Sequence, residues 1–87
     1  MFRCDIEFRK DGLIAEVHPS TKKLIIEDIC GRLEALKDEM NNYPEGHILA
    51  QYDSGELILH ITGYPPWLAE KMEKAIRLPE IPYWNSN

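Results

Sequence analysis

"YPEGHILAQYDSGELILHITGYPPW", residues 43–67, decides the fold. Two short apolar strands flank Asp53-Ser54-Gly55, with Pro44 before them and Pro65-Pro66 after. A Ser54-Gly55 loop sets Tyr52 opposite Leu57, Ala50 opposite Leu59 and Ile48 opposite Ile61, so one face of the predicted hairpin is apolar throughout. The stretch has two histidines and two acidic residues between Gly46 and Gly63, and no Lys or Arg at all.

Upstream of it, Ile25, Ile29, Leu33, Leu36 and Met40 recur at helical spacing, and Ile26 and Cys30 widen the stripe. The pattern predicts one amphipathic helix starting near Ser20 or Thr21 and ending before Asn41-Asn42-Tyr43-Pro44. Further back, Phe2, Cys4, Ile6 and Phe8 alternate with Arg3, Asp5, Glu7 and Arg9, the signature of a half-buried strand. Asp11-Gly12 then supplies a two-residue turn, which sets Phe8 opposite Ala15 and Ile6 opposite Val17. Downstream, Pro65-Pro66 opens a second helix that carries Leu68, Met72 and Ile76 inward, with Lys74 and Arg77 at its end and Pro79 as its stop.

The predicted fold class is α+β: a four-stranded antiparallel sheet with two helices on one face, in the order ββαββα. Leu13, Ala15 and Val17 echo Leu57, Leu59 and Ile61 forty-four residues on. The chain of 87 residues reads as one domain over residues 1–78 and an extended Pro/aromatic tail over residues 79–87.

The net charge of −5 is unevenly placed. Residues 1–37 carry seven basic and seven acidic side chains, and residues 61–87 carry three of each. The excess therefore lies in Asp38, Glu39, Glu45, Asp53 and Glu56, which we take as a candidate acidic docking edge. Such a field repels phosphate backbones and speeds encounter with basic proteins. Direct nucleic-acid binding is disfavoured; the alternative route to it runs through Arg3, Arg9, Lys10, Lys22 and Lys23.

If both helices cover one sheet face, the registers put Ile14, Leu49 and Ile58 on the other, beside His18, His47, His60, Glu7, Glu16, Gln51 and Thr62. A mixed face of this kind suits protein binding. His47 and His60 fall diagonally across the hairpin, where Glu16 or His18 would be needed to complete a metal site. No HxH or HExxH motif supports one, and the expectation is no metal and no cofactor. Ser20, Ser54 and Ser86 sit in turns or the tail, and no Gly-rich loop follows a strand, so the chain is not expected to be an enzyme. Cys4 and Cys30 are expected as reduced residues on inward faces. With no apolar run of 18 residues and no basic-then-apolar leader in Met1-Phe2-Arg3-Cys4-Asp5, a soluble cytoplasmic protein without membrane contact is expected.

Two stretches carry a resemblance: Ile26-Glu27-Asp28-Ile29-Cys30-Gly31-Arg32-Leu33, and Tyr43-Pro44-Glu45-Gly46-His47-Ile48 leading through Tyr52 into the second hairpin. In that order, with a final helix and a Trp-containing tail, residues 26–77 resemble the DinI-like (DNA-damage-inducible protein I) family. That resemblance implies a β-α-β-β-α core, a phage, prophage or bacterial setting within the SOS response, and regulation of RecA through its filament. Two departures stand beside it: an opening hairpin instead of one strand, and a last helix in which Glu70 and Glu73 are balanced by Lys71, Lys74 and Arg77.

The functional expectation is a small acidic, non-enzymatic regulator or inhibitor that binds a basic or nucleic-acid-handling protein complex. The alternative is a homodimeric interaction module that uses the open sheet face or the strand edges.

Overall fold

The computed structural model describes residues 3–78. The predicted tail, 79–87, and the inward placement of Phe2 lie outside the described residues. The elements are β1 (Arg3–Lys10), β2 (Leu13–Ile14), α1 (Pro19–Arg32), a 3₁₀ turn (Glu34–Leu36), α2 (Lys37–Met40), β3 (His47–Asp53), β4 (Glu56–Thr62) and α3 (Pro66–Arg77). The fold is α+β, with four strands in one sheet.

Both hairpins form on the predicted loops. Asp11 and Gly12 have φ of 53° and 80°, and Ser54 and Gly55 have 51° and 87°. Positive φ at both central residues gives the two-residue turn whose twist matches that of the flanking strands. In the second hairpin Tyr52 faces Leu57, Ala50 faces Leu59 and Ile48 faces Ile61, as the pattern requires. In the first, Arg9 pairs with Ile14 and Lys10 with Leu13. The Ala15 N–H still donates to Phe8 O at 2.8 Å, but the ladder ends there, and Ile6 and Val17 are not paired. His18-Pro19 explains the early exit. Proline fixes the residue before it in an extended conformation, and His18, at φ −56° and ψ 136°, already caps the helix that follows.

The sheet corrects the all-antiparallel expectation. Its order is β2-β1-β3-β4, and the central pair, β1 and β3, runs parallel. α1 serves as the crossover that a parallel pair needs. Arg3 faces His47 and Arg9 faces Asp53, so the forty-four-residue spacing of the sequence echo is also the register of this pair. Packing explains the choice of centre. β1 and β3 contribute the buried Ile6, Ile48 and Ala50, whereas β2 is only two residues long and its Leu13 and Ile14 are exposed.

The helical layer differs in one respect from the predicted pair of helices: the first is broken, giving three α-helices among the described residues. Leu33 N–H bonds both Ile29 O (3.1 Å) and Cys30 O (3.2 Å), and Leu36 N–H then reaches Leu33 O at 2.9 Å. The break falls where the apolar spacing drops to three residues. A 3₁₀ turn has three residues per turn, so it keeps Leu33 and Leu36 on the same side. Leu33 and Met40 are buried on either side of it. α1 and α3 lie on one sheet face, where Ile29, Leu33, Leu68, Met72 and Ile76 close over Ile6, Ile48 and Ala50. Cys4 belongs to that inner face and is half-buried, but Cys30 is exposed, contrary to expectation. One residue beyond Ile29 is a 100° rotation, which carries Cys30 out of the buried arc. No helix among the described residues is long and apolar enough to cross a membrane.

Candidate functional site

The inner rows of the sheet are Cys4-Ile48-Ile61, Ile6-Ala50-Leu59 and Phe8-Tyr52-Leu57, so the alternate residues form the opposite face. Its rows are Arg3-His47-Thr62, Asp5-Leu49-His60, Glu7-Gln51-Ile58 and Arg9-Asp53-Glu56, with Ile14 beside Arg9. None of the described helices covers this face. The three aliphatic candidates share the predicted face, with Ile14 and Ile58 exposed and Leu49 half-buried.

Polar side chains tie the face across its strands. His60 Nε2 donates to Gln51 Oε1 at 2.7 Å, and Gln51 Nε2 donates to Glu7 Oε1 at 3.1 Å. Arg9 Nε donates to the same Glu7 oxygen. That Arg9 hydrogen bond, helped by Gln51 and opposed by partial desolvation, holds the Glu7 carboxyl below its usual range. A second link joins β3 to β1, where His47 Nε2 meets Asp5 Oδ2 at 2.7 Å. His47 and His60 sit diagonally, as predicted, but each ring nitrogen is engaged by a different acceptor. His18 is not on the face: its Nδ1 accepts the Ser20 N–H at 3.1 Å and caps α1. Glu16 lies in the connection between β2 and α1. Among the described residues, no three His, Cys, Asp or Glu side chains are arranged to hold a metal ion. Asp5 was missed as a site residue, and Arg9 was named only for the nucleic-acid route. Their alternation was visible, but the parallel neighbour that turns it into contacts was not.

The five carboxylates of the candidate acidic edge divide into two groups. Asp53 and Glu56 are register partners beside the β3–β4 turn, and Ser54 Oγ donates to Asp53 Oδ1 at 3.3 Å. Glu45 lies just before β3, and tight turns through Asn41, Asn42 and Tyr43 link it to Asp38 and Glu39 in α2. β3 alone spans about 20 Å, so the groups are at opposite ends of the sheet. Glu39 is half-buried, and its Oε2 is enclosed with no hydrogen-bond partner among the described residues. The other four remain on the surface or partly so.

An open groove of about 420 Å³ was not anticipated from sequence. It lies where β2 stops short, between Ala15 and Val17 on one side and the stacked rings of Phe8 and Tyr52, 5.1 Å between centroids, on the other.

No family model matches the chain, and no curated protein or solved structure matches it.

Proposed function

We propose that the chain is a small non-enzymatic regulator that docks on a basic or nucleic-acid-handling protein complex. One observation carries the reading. Every ion pair among the described residues uses Asp5, Glu7, Asp28, Glu34, Glu70 or Glu73, which leaves all five of Asp38, Glu39, Glu45, Asp53 and Glu56, along with Asp11, Glu16 and Glu27, without a cationic partner. Carboxylates not neutralised within the fold keep their field for an approaching cation. Asp53 and Glu56 moreover border the open face that carries Ile58 and Leu49, which joins a steering charge to an apolar contact.

The resemblance to the DinI-like proteins directs the choice of partner to the RecA filament. With the two-residue β2 and the four-residue α2 set aside, the elements run β-α-β-β-α, the order that resemblance implies. Unrelated folds share such an order, so the partner assignment rests on binding. Labelled protein titrated against RecA filaments on single-stranded DNA should bind saturably and weaken as salt is added. Absence of saturable binding removes the RecA assignment. The broader reading falls if, in addition, no basic protein of a bacterial lysate is retained saturably at physiological salt.

A further inference from the structure

Among the described residues, the edge strand β4 carries few of the devices that keep strand edges from pairing. Residues 56–62 contain no Lys, Arg or Pro, and their pairing with β3 runs without a bulge from Asp53–Glu56 to His47–Thr62. Because the two-residue turn is closed by the hydrogen-bonded pair Asp53–Glu56, the outer-face residues of β4 spend their backbone groups on β3. Leu57, Leu59 and Ile61 therefore point theirs away from the sheet. The contact of Arg77 Nη2 with Leu57 O at 3.2 Å marks that direction, and it occupies one carbonyl of the edge. The side chains of Leu57, Leu59 and Ile61 are half-buried whereas their neighbours Ile48 and Ala50 are fully buried, so α3 leaves the rim of the inner face open. The other open edge, on β1, is shorter and is flanked by Arg3, Asp5, Glu7 and the β2 connection.

We infer that this edge is built to receive a second copy of the same chain, β4 against β4 in antiparallel register centred on Leu59. In the register that uses the whole strand, Leu59 meets Leu59 of the second copy, and Leu57 meets its Ile61, each pair exchanging both backbone bonds once Arg77 shares or releases Leu57 O. On the outer face Ile58 meets His60, and Glu56, the strand's single charge, meets Thr62. Apolar residues face apolar ones along the inner rim and no like charges are opposed, so the strand is complementary to itself. The two four-stranded sheets become one continuous sheet with all helices on one side. Since each chain carries a net charge of −5, long-range repulsion opposes pairing, and added salt strengthens it. That sign is opposite to docking on a basic partner, so the two proposals fail separately.

Sedimentation from micromolar to submillimolar concentration, together with residue-resolved amide exchange, tests the inference. The mass should rise from 10.1 kDa toward twice that value, and the Leu59 and Ile61 amides should gain protection in step. Thr62 is exposed, so its variants spare the fold. Thr62→Lys, set against Glu56 twice in the symmetric dimer, should tighten association, and Thr62→Glu should weaken it, each by about 3–10-fold. A mass fixed at 10.1 kDa overturns the inference. So does protection of Leu59 and Ile61 that is independent of concentration, or a dimer indifferent to the sign of the Thr62 substitution.

Discussion

Gly63, between β4 and α3, shows how far a single position constrains this chain. Its φ of 79° is in the left-handed region, and a Cβ added there would approach Glu45 O to 2.6 Å and Gly46 Cα to 2.9 Å. Those are backbone atoms, so no side chain can swing aside. Gly63→Ala should therefore cost about 2–4 kcal/mol, the strain of the conformation added to overpacking. The nearest atoms that a Cβ at Gly46 would meet all belong to the Tyr64 side chain, which can move, so thermal denaturation should rank Gly63→Ala as the worse of the two. Equal melting temperatures would mean the turn adjusts. Cys4 gives a prediction in pH. Burial, and then the neighbouring charges of Cys30 and Asp5, push its thiol up to about 11 from 9.0. A folded group that holds its proton more tightly than the unfolded chain does favours the fold at low pH. Its contribution is complete below pH 9 and is lost as pH rises toward about 11. Solvent around the half-exposed residue reduces the size of this effect. The melting temperature of the native chain should fall more across that window than that of Cys4→Ala; parallel curves would show that another group governs the alkaline limit.

The elements show which features a sequence can specify locally. The two turns differ in quality, because glycine follows Asp11 in one and Ser54 in the other, both at positive φ. Asparagine adopts that region more readily than serine, so Ser54→Asn should stabilise the second hairpin by about 0.5–1 kcal/mol. On a domain of this size that is a rise of about 3–6 °C in melting temperature. No rise would mean that the Ser54 hydroxyl contact with Asp53 compensates. The turns and the Ile48–Ile61 register were legible because turn chemistry and period-two alternation act over a few residues. α3 was legible for a similar reason: Leu68, Met72 and Ile76 are four apart and all buried. The parallel pairing of β1 with β3 was not. It depends on which strand of each hairpin buries both flanks, a contest settled by Ile6, Ile48 and Ala50 meeting the helices. The 3₁₀ turn was written in the three-residue step from Leu33 to Leu36, but a wide apolar stripe concealed it. At the candidate site, membership of the open face could be read for Ile14, Leu49 and Ile58. The departure of His18 to cap α1 could not, because Pro19 had been placed before the helix instead of within its first turn.

At the scale of the whole molecule, the question is whether the acidic residues act as a total or as a place. The sequence collected them into one segment, but the fold sets Asp53 and Glu56 at the β3–β4 turn and Glu45, with Asp38, at the far end of β3. Each reversal of an acid to lysine adds two charges, so the pair Asp53→Lys, Glu56→Lys and the pair Asp38→Lys, Glu45→Lys both take the net charge from −5 to −1. If net charge alone steers a basic partner, the two variants slow association equally. If the open face is where the partner lands, the Asp53, Glu56 pair should slow it several-fold more, because those carboxylates border Ile58 and Leu49, and it should flatten the salt dependence as well. These are surface positions, so each substitution should change stability by no more than about 0.5 kcal/mol, which keeps a kinetic effect separable from unfolding. Stopped-flow association with RecA filaments, or with a basic protein retained from lysate, measures the difference. Equal slowing would make the acidic residues a general field and count against docking on the aliphatic face of Ile14, Leu49 and Ile58. Slowing confined to Asp53 and Glu56 would place docking at the end of the sheet where the β3–β4 turn meets Ile58.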